Sequence, residues 1–179
     1  MIDTTLARRY AKALVDIGRE NKALDAYAES LTTMCDLMET STDFREILIN
    51  PVFTVDDKKA IAGQVLAKMK PDPIVSNFIN LLIDRKRIDQ LPGIAVAYQE
   101  MLDEINGIIR AEVVSATSIA DDDLKRVTDA LSQISGKKAV VTPTVEPSLV
   151  GGLLAKVGDM VFDGTIRTQL NQLKESLKG

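Results

Sequence analysis

From Asp3 to about Asn106 the apolar side chains recur three and four residues apart, the interval that gathers them on one face of an α-helix. Breaks in that rhythm carry stop and start signals for six helices. The first is predicted over Thr4–Glu20 and the second from about Lys22 to Glu39. A short third runs from Thr42 to Asn50 and ends at Pro51, whose ring and missing N–H halt a helix. Thr54, with Asp57 three residues on, has the form of a capping box, and the fourth helix follows it to about Met69. Asp72 offers a cap and Pro73 a preset first residue for a fifth helix ending around Arg87. A sixth extends from about Gln90 to Ile105.

After Gly107 the rhythm changes. Ile108–Ala116 is β-branched and partly alternating, which predicts a strand. Asp121, Asp122 and Asp123 open a helix, where carboxylates meet the positive end of the dipole. Leu124, Val127, Leu131 and Ile134 form its apolar face, and Gly136 closes it. Ala139–Val145 predicts a second strand, confined by Pro143 to an edge or a bulge. Leu153–Phe162 reads as a third strand broken at Gly158, and Thr165–Leu177 as a closing helix. The expected fold is mainly α with a small α/β part: a six-helix bundle over residues 1–106, then a strand-helix-strand-strand-helix domain over 107–179.

Helix wheels separate two of the helices from the rest. At ~100° per residue, helix two confines Leu24, Tyr27, Leu31, Met34, Cys35 and Met38 to an arc of about 120°. In helix one, Leu6, Ala7, Tyr10, Ala11, Ala13, Leu14, Val15, Ile17 and Gly18 spread over roughly 200°. Helix five does likewise with Ile74, Val75, Phe78, Ile79, Leu81, Leu82 and Ile83. A helix on the outside of a bundle needs only one stripe. Two readings stay open: both helices are sandwiched by neighbours, or a groove between them receives an amphipathic helix from another protein. In the second, Ala7, Ala11 and Gly18 leave room for an approaching backbone, while Tyr10 and Tyr27 offer aromatic contact with a polar tip.

Composition removes most catalytic chemistry. The 179 residues include no His, no Trp and a single Cys, at position 35. Ser-His-Asp and Cys-His nucleophiles are therefore absent, as are His-based metal sites and any intrachain disulfide; a reducing compartment is expected. A pI near 5.0 argues against a phosphate-backbone binder. The net charge of −4 lies in residues 1–105, with 13 basic and 17 acidic side chains; the remainder carries nine of each. No run of ~20 apolar residues predicts a membrane span. Met1–Tyr10 lacks the apolar core of a secretory signal, so an unprocessed bacterial cytosolic protein is expected. Ser135-Gly136-Lys137-Lys138 lacks the upstream Gly and the final Ser or Thr of a phosphate loop. Asp121–Asp123, Asp159 and Asp163 are expected to cap and turn rather than to bind a metal, and Cys35 to be a buried, inert thiol. No catalytic, cofactor-binding or metal-ligating residue is assigned.

Leu6-Ala7-Arg8-Arg9-Tyr10-Ala11-Lys12-Ala13-Leu14 resembles the opening motif of the delta subunit of bacterial F-type ATP synthases, a relative of the mitochondrial oligomycin-sensitivity-conferring protein. The resemblance continues through Asn77-Phe78-Ile79-Asn80-Leu81-Leu82, with Arg87 following. It is strongest in Val145-Glu146-Pro147-Ser148-Leu149-Val150-Gly151-Gly152 and in Gly158-Asp159-Met160-Val161-Phe162-Asp163-Gly164. It implies a non-catalytic stator subunit at the cytoplasmic face of the bacterial cell membrane, held there peripherally by the complex. The bundle is then expected to bind N-terminal helices of the alpha subunits in a groove of helices one and five. The smaller domain is expected to engage the C-terminal ends of the b subunits of the peripheral stalk. Carried over by position, the groove residues are Ala7, Tyr10, Ala11, Leu14, Tyr27, Phe78, Ile79 and Ile83. No cofactor, nucleic acid or direct membrane span is implied. Two rival readings are a helical adaptor or RNA-binding module outside this family, and a small metal-dependent enzyme using Asp159 or Asp163. Against the RNA reading, Phe162 is the only aromatic after residue 100.

Overall fold

Short-range hydrogen bonds fix the starts of three helices. Thr54 Oγ1 accepts from the Asp57 N–H and Asp57 Oδ2 from the Thr54 N–H, both at 3.2 Å, so the expected capping box is complete. Asp72 accepts from the Ile74 N–H at 2.8 Å ahead of Pro73, and Ser41 caps the third helix through Phe44. The computed structural model describes residues 4–149, 151–158, 160–166, 168, 170 and 174. Its helices are α1 (Thr4–Glu20), α2 (Leu24–Thr40), α3 (Thr42–Ile49), α4 (Val55–Met69), α5 (Pro73–Asp84) and α6 (Leu91–Asn106), with a 3-10 turn at Ile88–Gln90. The chain separates into two compact units, Met1–Leu102 and Asp103–Gly179.

Two helix ends differ from the sequence expectation, and for one reason. Helix five stops at Asp84 rather than Arg87, and helix two starts at Leu24 rather than Lys22. After α5, Lys86 takes a left-handed backbone (φ +55°), its N–H reaching Ile83 O at 3.0 Å while the Arg87 N–H reaches Leu82 O at 2.8 Å. After α1, Lys22 (φ +54°) and Ala23 make the same pair of bonds to Arg19 and Gly18. This is the Schellman arrangement, usually signalled by Gly, with Lys in its place.

Within the first unit, α2 buries Tyr27, Leu31, Met34 and Met38 at the helical interval, on the narrow face its wheel indicates. Tyr98 of α6 is fully buried, and its hydroxyl donates to Leu24 O at 2.9 Å. Gly18 makes this junction possible. A Cβ there would lie 3.0–3.2 Å from Leu24 Cδ2, Tyr27 Cδ2 and Tyr98 Oη.

The second unit carries β1 (Ile108–Ser115), α7 (Asp121–Ser135), β2 (Lys138–Val145), β3 (Leu153–Val157) and β4 (Met160–Asp163) in one sheet of order β2-β1-β3-β4. β2 runs parallel to β1 after the α7 crossover and forms an edge, as Pro143 requires. The segment expected as one strand broken at Gly158 folds back instead. Val157 pairs with Met160, and Gly158 between them takes φ +56°. Val127 and Leu131 of α7 pack over Ile109, Ala111, Ala139, Val141 and Val157. Ile134, expected on that face, is exposed, because it lies about 70° from the centre of the covered arc. Asp103 joins this unit by receiving Arg110 Nε at 2.5 Å and Nη2 at 3.1 Å. Gly152 (φ +88°) abuts Gly164 so closely that a Cβ would collide with the Gly164 carbonyl, which makes that glycine pair structural. The expected closing helix lies largely outside the described residues.

Candidate partner-binding surface

The over-wide apolar arcs of α1 and α5 each divide into a buried half and an uncovered half. On α1 the buried half is Ala7, Ala11, Leu14, Val15 and Gly18; on α5 it is Val75, Phe78, Ile79, Leu82 and Ile83. About 100° round each helix lies a second stripe. Leu6 and Tyr10 are half-buried, Ala13 is exposed and Ile17 is 39% exposed on α1; Ile74 is half-buried and Leu81 is 42% exposed on α5. The spacing of Leu6, Tyr10, Ala13 and Ile17 is that of one face seen over three turns.

Tyr10 of the α1 stripe meets the buried half of α5 at Phe78. The Tyr10 and Phe78 rings meet edge to face, with centroids 6.1 Å apart and planes at 70°, a geometry that sets the positive ring edge on the negative ring face. Leu6, one turn before Tyr10, shares a shallow depression of about 300 Å³ with Arg85, Lys86 and Arg87, which lie two turns beyond Phe78. The two helices therefore run antiparallel along the seam, with Ile17 and Ile74 towards its other end.

This geometry sorts the residues carried over by resemblance. Ala7, Ala11, Leu14, Tyr27, Ile79 and Ile83 are at most 1% exposed, and Phe78 is 9% exposed. They form the packing beneath the seam, and a partner helix lying on this conformation does not reach six of them. Tyr10 is the one residue of the set that presents a substantial surface. Tyr27 instead accepts a hydrogen bond from Asn21 Nδ2 at 3.2 Å inside the bundle. The room left by Gly18 is likewise used by α2 and α6 of the same bundle. Leu6, Ala13, Ile17, Ile74 and Leu81 complete the surface. All five belong to the wide arcs, so the wheel contained them; what it lacked was the direction of the core.

Little here could carry bond chemistry. Among the described residues, no group of three or more His, Cys, Asp or Glu side chains is placed to hold a metal ion. Asp163 accepts from the Thr165 N–H and Thr168 Oγ1, each at 2.8 Å, and these bonds hold its carboxyl below the usual range. That is a capping role; Asp159 lies outside the described residues. Burial, with Asp36 and Glu39 adding to it, pushes the Cys35 thiol up to about 12, so it is a poor nucleophile near neutrality. Gly136, the one Gly of the phosphate-loop resemblance, follows the end of α7 with φ +66°, where a helix presents carbonyls rather than N–H groups. Among the described residues no helix is long and apolar enough to cross a membrane.

Comparison with known proteins agrees over the whole chain. The family described as ATP synthase delta (OSCP) subunit matches residues 6–177. The ATP synthase subunit delta of Geobacter metallireducens is 42% identical over 178 residues, covering 99% of each chain. Its counterpart in Desulfosudis oleivorans is 38% identical, covering 99% of this chain and 97% of that one. A chain in the cryo-EM structure of the Toxoplasma gondii mitochondrial ATP synthase hexamer shares the fold, with a TM-score of 0.78 at 22% identity over 97% of this chain. With a family match across nearly every residue and full-length relatives well above 30% identity, the chain belongs to the ATP synthase delta (OSCP) subunit family.

Proposed function

We propose that this non-catalytic subunit of the ATP synthase stator fastens the catalytic headpiece through the seam of α1 and α5. The seam receives an amphipathic helix from the N-terminus of an alpha subunit, and the second unit engages the C-terminal ends of the b subunits of the peripheral stalk. Through that stalk the protein is held at the cytoplasmic face of the membrane. The observation that carries the reading is the second apolar stripe. A monomeric helix gains nothing by keeping Ile17 and Leu81 in water, whereas a helix laid across Leu6, Tyr10, Ala13, Ile17, Ile74 and Leu81 removes all six from it.

The work is mechanical. Proton flow turns a rotor inside the headpiece, and torque drives synthesis only if the headpiece cannot turn with it. A fastener must outlast many turnovers, which requires nanomolar binding or tighter, about −12 kcal/mol. Apolar burial in a pre-formed seam favours the slow dissociation this demands. The experiment is reconstitution of the complete synthase in vesicles with and without this subunit. Without it, ATP hydrolysis by the headpiece continues and proton-driven synthesis is lost; adding the purified chain restores synthesis. Undiminished synthesis in its absence overturns the proposal.

A further inference from the structure

A cavity of about 510 Å³ opens between the α3–α4 loop and the end of α5. Its floor is core: Leu48, Ile83 and Ile88 are at most 3% exposed. Its mouth is apolar as well, with Ile49 40% and Phe53 38% exposed beside Val55. The loop that forms this mouth is held by its own bonds. Asn50 Oδ1 accepts from the Val52 N–H at 3.0 Å and Asn50 O from the Phe53 N–H at 3.4 Å, and the Thr54–Asp57 capping box fixes the far side. The opening is therefore formed before anything enters it. Ile83 lies about 160° around α5 from Leu81, so the cavity meets that helix on the side away from the seam.

Two cations border the apolar walls, Lys58 of α4 and Lys86 just past α5. Lys58 is half-buried, and among the described residues its ammonium enters no ion pair. The nearby acids are otherwise engaged. Asp84 is held by Lys59 at 2.6 Å, Asp57 closes the capping box with Thr54, and Asp56 lies about 160° around α4 from Lys58. Among the described residues Asp89 is the one acid lining the cavity, and its carboxylate accepts from the Gln90 side chain. The lining thus sets two positive charges against one negative. A cation partly withdrawn from water beside apolar walls is best matched by an anion that brings its own apolar body.

We infer that this cavity binds a small monocarboxylate with an unbranched apolar tail, its head at Lys58 and Lys86 and its tail over Ile49, Phe53 and Ile83. The volume lies within the range of small-molecule sites. One negative charge balances the lining, whereas a phosphate dianion would exceed it.

The probes are octanoate, acetate and octanol, each titrated into the full-length ¹⁵N-labelled chain. Octanoate, with about ten non-hydrogen atoms, is expected to shift the amide signals of Ile49, Phe53, Val55 and Lys58 with half-saturation at about 1 mM. Acetate has the charge without the tail and octanol the tail without the charge, so each should bind at least about tenfold more weakly. Lys58→Gln/Lys86→Gln should weaken octanoate about tenfold and leave octanol unchanged, with the amide spectrum elsewhere reporting an intact fold. Ile49→Glu sets a carboxylate in the mouth and should abolish octanoate binding. Equal shifts from acetate and octanoate would mean an adventitious ion only and overturn the site. Octanoate shifts that fall as strongly on Ile17 and Leu81 as on the cavity would mean general adsorption to apolar surface, which also overturns it. Undiminished octanoate affinity in the double lysine variant overturns the role of the two cations and, with it, the inference.

Discussion

Ile17 and Leu14 lie three residues apart on α1 and make the sharpest test of which half of its arc meets the partner. Ile17 is 39% exposed and Leu14 is 1% exposed. Ile17→Asp leaves the buried half of α1 in place and removes only the side chain's covered part, costing the free protein about 1 kcal/mol. For binding it does more. The apolar contact over Ile17 is lost, at about 1 kcal/mol, and a carboxylate is pressed against the partner's apolar face, at roughly 1–2 kcal/mol more. Affinity should fall by about 2–3 kcal/mol, or about 30- to 150-fold. Leu14→Asp behaves otherwise: it opens a cavity and buries a charge without a partner, at more than about 4 kcal/mol, which is most of the stability of a domain this size. Circular dichroism should show Ile17→Asp folded and Leu14→Asp unfolded, and calorimetry with the alpha-subunit peptide should show the weakened binding of Ile17→Asp. A folded Ile17→Asp protein that binds as tightly as the parent would falsify the seam assignment.

Gly18→Ala sets two effects against each other. Alanine favours the helix by about 1 kcal/mol, but its Cβ comes within 3.2 Å of a Tyr98 hydroxyl already committed to Leu24 O. Overpacking at about 1–3 kcal/mol should win, lowering the melting temperature by several degrees; a rise would mean that α2 and α6 yield easily. Alkali offers an independent check on the bundle. Burial pushes Cys35 and Tyr98 each up to about 12, so between pH 9 and 12 the unfolded chain gives up protons that the native state retains. Stability should therefore fall as pH rises through that window. Replacing Cys35 by Ala and Tyr98 by Phe should flatten the decline in denaturant titrations.

Where a boundary is set by a side chain bonding to its own backbone, the sequence announces it. Thr54 with Asp57 and Asp72 with Pro73 stand where their chemistry places them, and Gly136 stands after α7 because its backbone takes the left-handed φ without a Cβ penalty. The end of α5 and the start of α2 were less legible because Lys86 and Lys22 occupy left-handed positions that favour Gly. Each costs about 1 kcal/mol or more, and only the surrounding packing offsets it. Ile88 added to the error at α5 by continuing the apolar rhythm past the true end; it is buried from the 3-10 turn instead. The β3–β4 reversal was hidden in the same way, since apolar residues continue on both sides of Gly158 and periodicity does not report a fold-back.

The groove shows a deeper limit. A wheel measures how wide an apolar arc is about the helix's own axis, but the direction of the core is decided by where other helices settle, and those contacts join residues distant in sequence. Tyr10 meets Phe78, and Tyr98 meets Leu24. An arc of about 200° is wider than one neighbour can cover, so the surplus was visible from the sequence. Which residues were surplus was not. Six of the eight expected contacts are at most 1% exposed in the bundle's own packing, while Leu6, Ala13, Ile17, Ile74 and Leu81 lie on the outer side of the arcs. On the proposed docking, one helix would hold its own fold and a partner at once: the buried half of α1 sets the seam's shape beforehand, so little ordering would be required of it on binding.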